Sequence, residues 1–184
     1  MKVIITGGCG GMGRFLVRAV ARLKNIESIT IADLAESSAK EFAREFDHRV
    51  SGIGLDVSDY QVMSEIFECQ DIVLNTTGPF FRFGKHVLEA ALNSNCHYMD
   101  ICDDWEPTEE MLALDGEAKS KNLTAIVGLG ASPGLTNLLA LLAMNQLDEV
   151  EKVYTGWDLT AATPEDESSQ EGTNAAMEHG IEQI

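Results

Sequence analysis

The sequence predicts an α/β fold class, with a doubly wound parallel sheet followed by the beginning of a second α+β domain. Three observations predict the parallel sheet. Short apolar runs alternate with stretches of helical periodicity from the N-terminus to Val127. The first run ends in a glycine-rich turn, 7–13, that leads into a helical pattern. The second run ends at Asp33, about 20 residues beyond that turn. Strands and helices that alternate in this way form parallel sheets covered by helices on both faces.

The first strand and helix carry the clearest patterns. Lys2–Thr6 is a short apolar run stopped by glycine, as expected of a buried parallel strand. Residues 12–23 place apolar side chains at helical spacing, and residues 36–46 form an amphipathic pattern after the second strand. By the same criteria, the six predicted strands are 2–6, 28–32, 50–55, 71–74, 97–101 and 124–127. The predicted helices up to the second domain are 12–23, 36–46, 62–67, 84–92 and 108–119.

Composition excludes several classes of protein. The chain has 184 residues, of which 45% are hydrophobic, so it can bury a sizeable core. Its formal net charge of -17 argues against nucleic acid and anionic membrane surfaces as partners. No secretory leader or membrane-spanning run is visible. The four cysteines lack the spacing of zinc or redox motifs, so we expect a cytoplasmic protein with reduced thiols.

The glycine-rich turn can be aligned in two registers. Gly8, Gly10 and Gly13 form the G-x-G-x-x-G dinucleotide fingerprint of a Rossmann-like fold, whereas an alignment from Gly7 resembles short-chain dehydrogenases. In the first register, Gly8 permits the tight turn, Gly10 lets backbone amides approach the pyrophosphate, and Gly13 lets the helix pack closely. Gly11 and Met12 complete the predicted phosphate contact at the positive end of the helix.

Acidic residues at strand ends predict the cofactor. Asp33 can accept hydrogen bonds from the ribose hydroxyls and would repel a 2′-phosphate, which favours NAD, with NADP possible. An aspartate that only caps the loop is the alternative interpretation. No arginine or lysine lies nearer on its C-terminal side than Lys40. Asp56 and Val57, after the third strand, are candidates for the adenine edge, although Asp56 as a solvated loop residue is nearly as good an interpretation.

Short-chain catalysis needs a Tyr-x-x-x-Lys pair on one helical face, because the lysine lowers the pKa of the phenol. The residues four positions after Tyr60, Tyr98 and Tyr154 are Ser64, Cys102 and Asp158. The pair is therefore absent from the sequence. Either register predicts phosphate binding, but the absence of the pair excludes the short-chain mechanism.

Three later segments carry a family resemblance. They are 75–80 (NTTGPF), 97–100 (HYMD) and 130–137 (GASPGLTN). Their order and spacing resemble the saccharopine dehydrogenase-like family, which includes saccharopine reductases, lysine 6-dehydrogenases and carboxynorspermidine-type dehydrogenases. The resemblance implies an oxidoreductase of amino acid metabolism that transfers hydride at a C–N bond of a small amino acid-like substrate. It also implies a longer protein and a homodimer formed through the second domain.

The loop after the fourth strand is predicted to lie at the nicotinamide end of the site, because ligands bind at the carboxyl ends of such strands. Its cofactor-binding candidates are Thr76, Thr77, Gly78 and Pro79, and Phe80 is a candidate wall for the substrate. An ordinary strand–helix loop is the alternative interpretation.

The end of the fifth strand is the most polar in the chain. Asp100 and Asp103 are the candidate catalytic residues, either as a base or to orient an amine, and exposed loop carboxylates without a catalytic role are the alternative interpretation. His97 faces away from Asp100 by strand alternation, so no metal site is expected. Trp105 is interpreted as either a pocket wall or a core residue.

The proposed second domain starts after the sixth strand. We expect a dinucleotide domain over 1–132 and, over 133–184, the start of an incomplete substrate or dimerisation domain. Pro133, Gly134 and Asn137 are candidates for binding a substrate carboxylate, with helix capping an equally good interpretation. Beyond them we predict a buried helix at 135–147, a strand at 151–159 and a helix at 175–184. A short-chain-type reductase or epimerase, and a dinucleotide-binding module without turnover, remain as alternative functions.

Overall fold

A computed structural model describes residues 1–156 of the chain. Its single sheet has six parallel strands in the order β3-β2-β1-β4-β5-β6, which confirms the predicted doubly wound α/β class. The strands are β1 (Lys2–Thr6), β2 (Ser28–Asp33), β3 (Val50–Gly54), β4 (Ile72–Asn75), β5 (His97–Asp100) and β6 (Ala125–Ile126). Each predicted strand of the sheet is present within two residues at either end.

Helices connect the strands on both faces of the sheet. They are α1 (Gly11–Ala21), α2 (Glu36–Ala43), α3 (Tyr60–Phe67), α4 (Phe80–Asn93), α5 (Trp105–Leu112) and α6 (Asp115–Ser120). The single helix predicted over 108–119 is two helices. The reason is local: the amide of Leu114 donates to the carbonyl of Met111, three residues back, so the last turn of α5 tightens and ends.

The core lies on both faces of the sheet, which explains the unbroken apolar strands. Along β1, Val3 and Ile5 belong to one buried cluster, while Ile4 belongs to the other. Phe42 of α2 packs in the first cluster, and Phe67 of α3 packs in the second. A strand with both faces covered needs apolar residues at every position, whereas a half-exposed strand would alternate.

The strand order reverses between β1 and β4, because β2 lies on one side of β1 and β4 on the other. The register pairs Thr6 with Asn75, so both strands end at the same level. The turn after β1 and the loop after β4 are therefore neighbours. This is the switch point at which doubly wound sheets bind their ligands.

The chain divides into two compact units, Met1–Leu135 and Thr136–Ile184. The helix α7 (Leu135–Met144) belongs to the second unit except for its first residue, Leu135. The helix predicted at 135–147 is present over these residues, but the prediction that it is buried was wrong, since none of its residues is buried. Apolar composition alone does not show that another element covers a helix.

Two further predictions concern the C-terminal part of the chain. Residues 151–156 contain no strand, so the predicted strand at 151–159 was wrong over the part that the structure describes. The predicted helix at 175–184 lies outside the described residues. Among residues 1–156, no helix has the length and hydropathy to span a membrane.

Candidate dinucleotide-binding site

The tight turn after β1 depends on Gly7 rather than Gly8. Gly7 has a φ of +68°, and a Cβ atom there would lie 2.9 Å from the carbonyl oxygen of Thr76. A side chain is therefore excluded by both conformation and space. Gly8 is needed for a different reason, since its Cβ would lie 2.7 Å from a methyl group of Ile31 on β2. The prediction that Gly8 makes the tight turn is therefore wrong. The two registers describe different parts of one loop, because Gly7 makes the turn and Gly8 packs against β2.

The helix α1 packs directly on this turn through Gly13. A Cβ on Gly13 would overlap the carbonyl oxygen of Gly7 and lie 2.7 Å from the Cα of Gly8. Helix and turn can therefore meet only because Gly13 has no side chain, as the fingerprint predicts.

The outer side of the same turn is open. A Cβ on Gly11 would meet nothing within 4 Å, and one on Gly10 would meet only the Gly7 carbonyl oxygen at 3.3 Å. Gly10 is the N-cap of α1 and has no side chain to accept from the first-turn amides, and no acidic residue stands in that turn. These amides and the exposed Met12 border space that an anion can enter.

Asp33 connects the end of β2 to this turn. One carboxylate oxygen accepts from the backbone N–H of Cys9 at 2.9 Å, and the other accepts from the N–H of Ala35 at 3.2 Å. The carboxylate is half-buried beside the turn. Each oxygen retains a lone pair with which to accept a further hydroxyl donor.

Arg14 was not predicted as a site residue, yet it also lies at this turn. Its Nε donates to the carbonyl of Cys9 at 3.1 Å, and its guanidinium lies 4.4 Å from the ring centroid of Phe42. Lys40, the nearest base considered in the sequence, is instead paired with Glu36 one helical turn away. An arginine directly after the last fingerprint glycine is the signal that could have identified Arg14.

Asp56 and Val57 follow β3 and have different surroundings. Asp56 is exposed and accepts from the hydroxyl and the backbone N–H of Ser58, which lowers the pKa of its carboxyl. Val57 is buried in the core. Their contact with adenine stays a prediction.

The loop after β4 is bonded to the phosphate turn. The Thr76 hydroxyl donates to the carbonyls of Thr6 at 2.8 Å and Gly7 at 3.1 Å. The hydroxyl of Thr77 is buried and has no hydrogen-bond partner in the described structure. Gly78 is open to solvent, and Pro79 is the N-cap of α4.

Phe80 and Phe81 point into different environments. The predicted substrate wall, Phe80, is only 8% exposed and packs in the core, whereas Phe81 is 67% exposed. Helical geometry turns adjacent residues about 100° apart, and the sequence does not show which of the pair faces inward. The exposed aromatic ring available to a ligand near this loop is therefore that of Phe81.

The two candidate catalytic aspartates also differ in exposure. Asp100 is 2% exposed and accepts hydrogen bonds from the Tyr98 hydroxyl and from the amides of Cys102 and Gly128. Burial raises the pKa of its carboxyl, although these three donors oppose the shift. This environment favours a positioning role over proton transfer to a substrate. Asp103 is exposed in the following loop, and its catalytic role stays a prediction.

Neighbouring residues of β5 have structural contacts. The ring of His97 accepts from the backbone N–H of Thr124, which agrees with its orientation away from Asp100. Within residues 1–156, no group of histidine, cysteine and carboxylate side chains has the arrangement of a metal site. Trp105 is 73% exposed at the start of α5, so it is not a core residue.

Pro133 and Gly134 lie in a compact loop at the end of the first unit. Gly134 has a φ of +116° and pairs with Gly130, whose carbonyl accepts from the amide of Leu135 at 2.9 Å. Asn137 belongs to the second unit and is exposed. Their role in binding a substrate carboxylate stays a prediction.

A comparison with protein families decides the relationship. The family described as "Saccharopine dehydrogenase NADP binding domain" matches residues 3–126, from β1 to β6. The chain belongs to this family. The resemblance expected from the three sequence segments is thereby confirmed, and the chain is an NAD(P)-binding, dehydrogenase-like domain.

Solved structures share the fold of this saccharopine dehydrogenase family domain. Saccharopine dehydrogenase (L-Glu forming) from Saccharomyces cerevisiae superposes with a TM-score of 0.67 at 19% identity, covering 79% of this chain and 31% of that one. Scyllo-inositol dehydrogenase from Lactobacillus casei gives a TM-score of 0.58 at 18% identity, covering 79% and 41% respectively. At such identities the likeness shows the fold alone.

A curated relative has a name that mentions no dehydrogenase. A lipid droplet localized protein of Caenorhabditis elegans is 23% identical over 118 residues, which are 59% of this chain and 28% of that protein. The chain thus spans about a third of the length of the saccharopine dehydrogenase structure and of this relative.

The residues at the turn fit a nicotinamide dinucleotide. The open space beside Gly10 and Gly11 borders the uncapped start of α1, where a pyrophosphate would be held. Asp33 is available to the adenosine ribose, and the unpartnered Thr77 hydroxyl stands in the loop on the other side of the switch point. When bound, the cofactor supplies hydride transfer chemistry, and the protein supplies binding and orientation.

Proposed function

We propose that this domain serves an NAD(P)-dependent oxidoreductase that transfers hydride at a C–N bond of an amino acid-derived substrate. The observation that carries the proposal is the open, uncapped start of α1 beside the Asp33 carboxylate, within a domain of the saccharopine dehydrogenase family. The bond type and the substrate class come from the family. The name of the yeast protein with the same fold, saccharopine dehydrogenase (L-Glu forming), supports them.

For the cofactor, we propose that NAD binds more tightly than NADP. A 2′-phosphate on the adenosine ribose would lie beside the Asp33 carboxylate. Neighbouring like charges repel, so this phosphate would weaken binding. Arg14 is the counter-argument, since it donates through Nε to the carbonyl of Cys9 and stacks on Phe42, and its other guanidinium N–H groups could bind a 2′-phosphate. The NADP named in the family description makes NADP the alternative.

Calorimetric titration of this chain with NAD and NADP tests the cofactor proposal directly. Turnover is then assayed with lysine, saccharopine and polyamine precursors, on this chain and on any longer product of the gene. Binding of either dinucleotide together with turnover by the longer product supports the oxidoreductase. Absence of binding to both would overturn the proposal.

A dinucleotide-binding module without turnover is the second candidate function. It is favoured by the burial of Asp100, one of the two predicted catalytic carboxylates. Tight dinucleotide binding with no turnover by the longer product would select it. The short-chain-type reductase has no comparable support, because the Tyr-x-x-x-Lys pair is absent from the sequence.

A further inference from the structure

A chain of four hydrogen-bonded side chains crosses the sheet at its carboxyl edge. The hydroxyl of Thr6 on β1 donates to the Asn75 carbonyl oxygen at 2.8 Å. The Asn75 amide nitrogen donates to the Tyr98 hydroxyl at 3.0 Å, and that hydroxyl donates to Asp100 at 2.8 Å. These four residues, Thr6, Asn75, Tyr98 and Asp100, are called the cross-strand chain below.

Burial makes this arrangement costly unless every group is bonded. Thr6, Asn75 and Tyr98 are fully buried, and Asp100 almost so. A buried polar group without a partner costs roughly 1–3 kcal/mol, whereas apolar side chains at these positions would carry no such risk. Within the cross-strand chain each donor points the same way, toward the carboxylate, an arrangement in which successive hydrogen bonds polarise one another.

The cross-strand chain also holds backbone beyond the strands. The Asn75 carbonyl oxygen accepts from the amide of Thr77 at 2.9 Å, in the loop after β4. Asp100 accepts from the amide of Cys102, after β5, and from that of Gly128, after β6. Thr6 directly precedes the phosphate turn. Four loops at the ligand-binding edge are therefore tied to one buried network.

Gly128 shows how closely two of these loops approach each other. It has a φ of +73°, and a Cβ atom there would lie 3.0 Å from the carbonyl oxygen of Cys102. The Asp100 carboxylate receives both amides on the same oxygen, at 2.8 Å from Gly128 and 3.0 Å from Cys102. A side chain with one oxygen bridging two loops determines the distance between them.

We propose that the cross-strand chain positions the loops after β4, β5 and β6 relative to the phosphate turn, and that Asp100 is a positioning residue for the nicotinamide side of the dinucleotide site. The inference rests on the proposed function for the identity of the ligand. Asp100 contacts the ligand-bearing loops through their amides, while the phosphate turn itself keeps its own contacts through Thr76 and Asp33. Loss of the network should therefore weaken binding of the nicotinamide half of the dinucleotide more than binding of its adenosine half.

Two variants remove one hydroxyl each without emptying the core. Tyr98→Phe breaks the link between Asn75 and Asp100, and Thr6→Val breaks the link at β1, with nearly unchanged volume. Tyr60→Phe is the matched control, since its hydroxyl accepts from Asn93 at 2.7 Å in a different part of the domain. Thr6→Ser keeps the hydroxyl and is the expected rescue of Thr6→Val.

The first measurement is amide hydrogen exchange on the whole chain without ligand. We expect exchange at Gly128 and Thr77 to accelerate about tenfold in Tyr98→Phe, the equivalent of one lost hydrogen bond, and to be unchanged in Tyr60→Phe. Exchange in the buried strand β4 should stay slow in both. Equal exchange at Gly128 and Thr77 in Tyr98→Phe and the control would overturn the inference.

The second measurement is calorimetric binding of NAD and of ADP, which lacks the nicotinamide half. We expect Tyr98→Phe and Thr6→Val to weaken NAD about threefold or more while ADP binding changes less than twofold, a split that simple loss of folding would not produce. Thr6→Ser should bind both as the unmodified chain does. Equal weakening of NAD and ADP overturns the inference, whereas failure of the unmodified chain to bind either ligand overturns the proposed function. If Tyr98→Phe does not fold, Thr6→Val and its rescue decide the question alone.

Discussion

The carboxylate of Asp33 accepts a hydrogen bond from the backbone N–H of Cys9 at 2.9 Å, so the end of β2 holds the phosphate turn that follows β1. One side chain thus performs two tasks. It stabilises the turn on which the pyrophosphate would rest, and under the proposed function it would present a negative charge to the adenosine ribose. Replacing the charge and replacing the hydrogen bond should have different consequences.

Asp33→Ala should weaken NAD binding more than NADP binding, because the variant removes the ribose acceptor and also the repulsion of a 2′-phosphate. We expect NAD affinity to fall about tenfold, as for one hydrogen bond to a charged group. Titration with each dinucleotide measures the change. Asp33→Asn is the matched control, because its amide oxygen still accepts from Cys9 while the charge is gone. Equal losses of NAD and NADP in Asp33→Ala would remove Asp33 from the ribose contact.

Gly13→Ala should destabilise the domain by about 1–3 kcal/mol or more, because the added methyl group overlaps the Gly7 carbonyl oxygen of the turn. Gly11→Ala adds the same methyl group where nothing lies within 4 Å, and it should leave the free energy of unfolding unchanged or slightly raised. Urea denaturation of the two variants measures the difference. Equal stability of the two variants would show that the helix does not pack on the turn through Gly13.

Cys9 should resist alkylation although it is only partly buried in the turn after β1. Burial, followed by the charge of Asp33, raises the pKa of its thiol to about 11, so the reactive thiolate is scarce at neutral pH. At pH 8 iodoacetamide should modify the exposed Cys69 and spare Cys9, and Cys9 should become reactive only toward pH 11. Asp33→Asn should move its reactivity to lower pH. Peptide mapping by mass spectrometry follows each site, and alkylation of Cys9 ahead of Cys69 would contradict the prediction.

Asp100 should make the stability of the domain depend on pH. Burial raises the pKa of its carboxyl above the ordinary value, so the folded state holds this proton more tightly than the unfolded state does. Its contribution to stability is present below the ordinary pKa of an aspartate and is lost as the pH rises through the raised pKa. Asp100→Asn cannot titrate, so the difference in free energy of unfolding between the variant and the unmodified chain should shift in favour of the variant over that interval. Urea denaturation from pH 4 to pH 7 tests it, and a constant difference would refute the assignment.

The strands were predictable because each is an unbroken apolar run stopped by glycine or a polar residue, and a sheet covered on both faces demands that pattern. The phosphate turn was predictable in outline, because its glycine spacing lies between a strand and a helix. The role of each glycine was only partly predictable. Gly7 and Gly8 are chemically identical in the sequence, and it is the approach of Thr76, in the loop after β4, and of Ile31, on β2, that gives each its separate role.

The candidate catalytic residues show the opposite case. Asp100 and Asp103 lie three positions apart in a polar segment, yet one is buried and bonded to three donors while the other is exposed. Phe80 and Phe81 differ in the same way. The contacts of Arg14 could not be predicted from the sequence, because the carbonyl of Cys9 and the ring of Phe42 come together only when α1 and α2 pack.

The sequence by itself determined the alternating order of strands and helices, the glycine turn and the acidic end of β2, because these are set by contacts within a few residues along the chain. Only the tertiary structure decided which polar side chains are buried and which face a ligand. Thr6, Asn75 and Tyr98 come from three strands far apart in sequence and meet at one edge of the sheet. Their hydrogen bonds exist because the parallel register places the strand ends at one level, and no local pattern encodes that meeting.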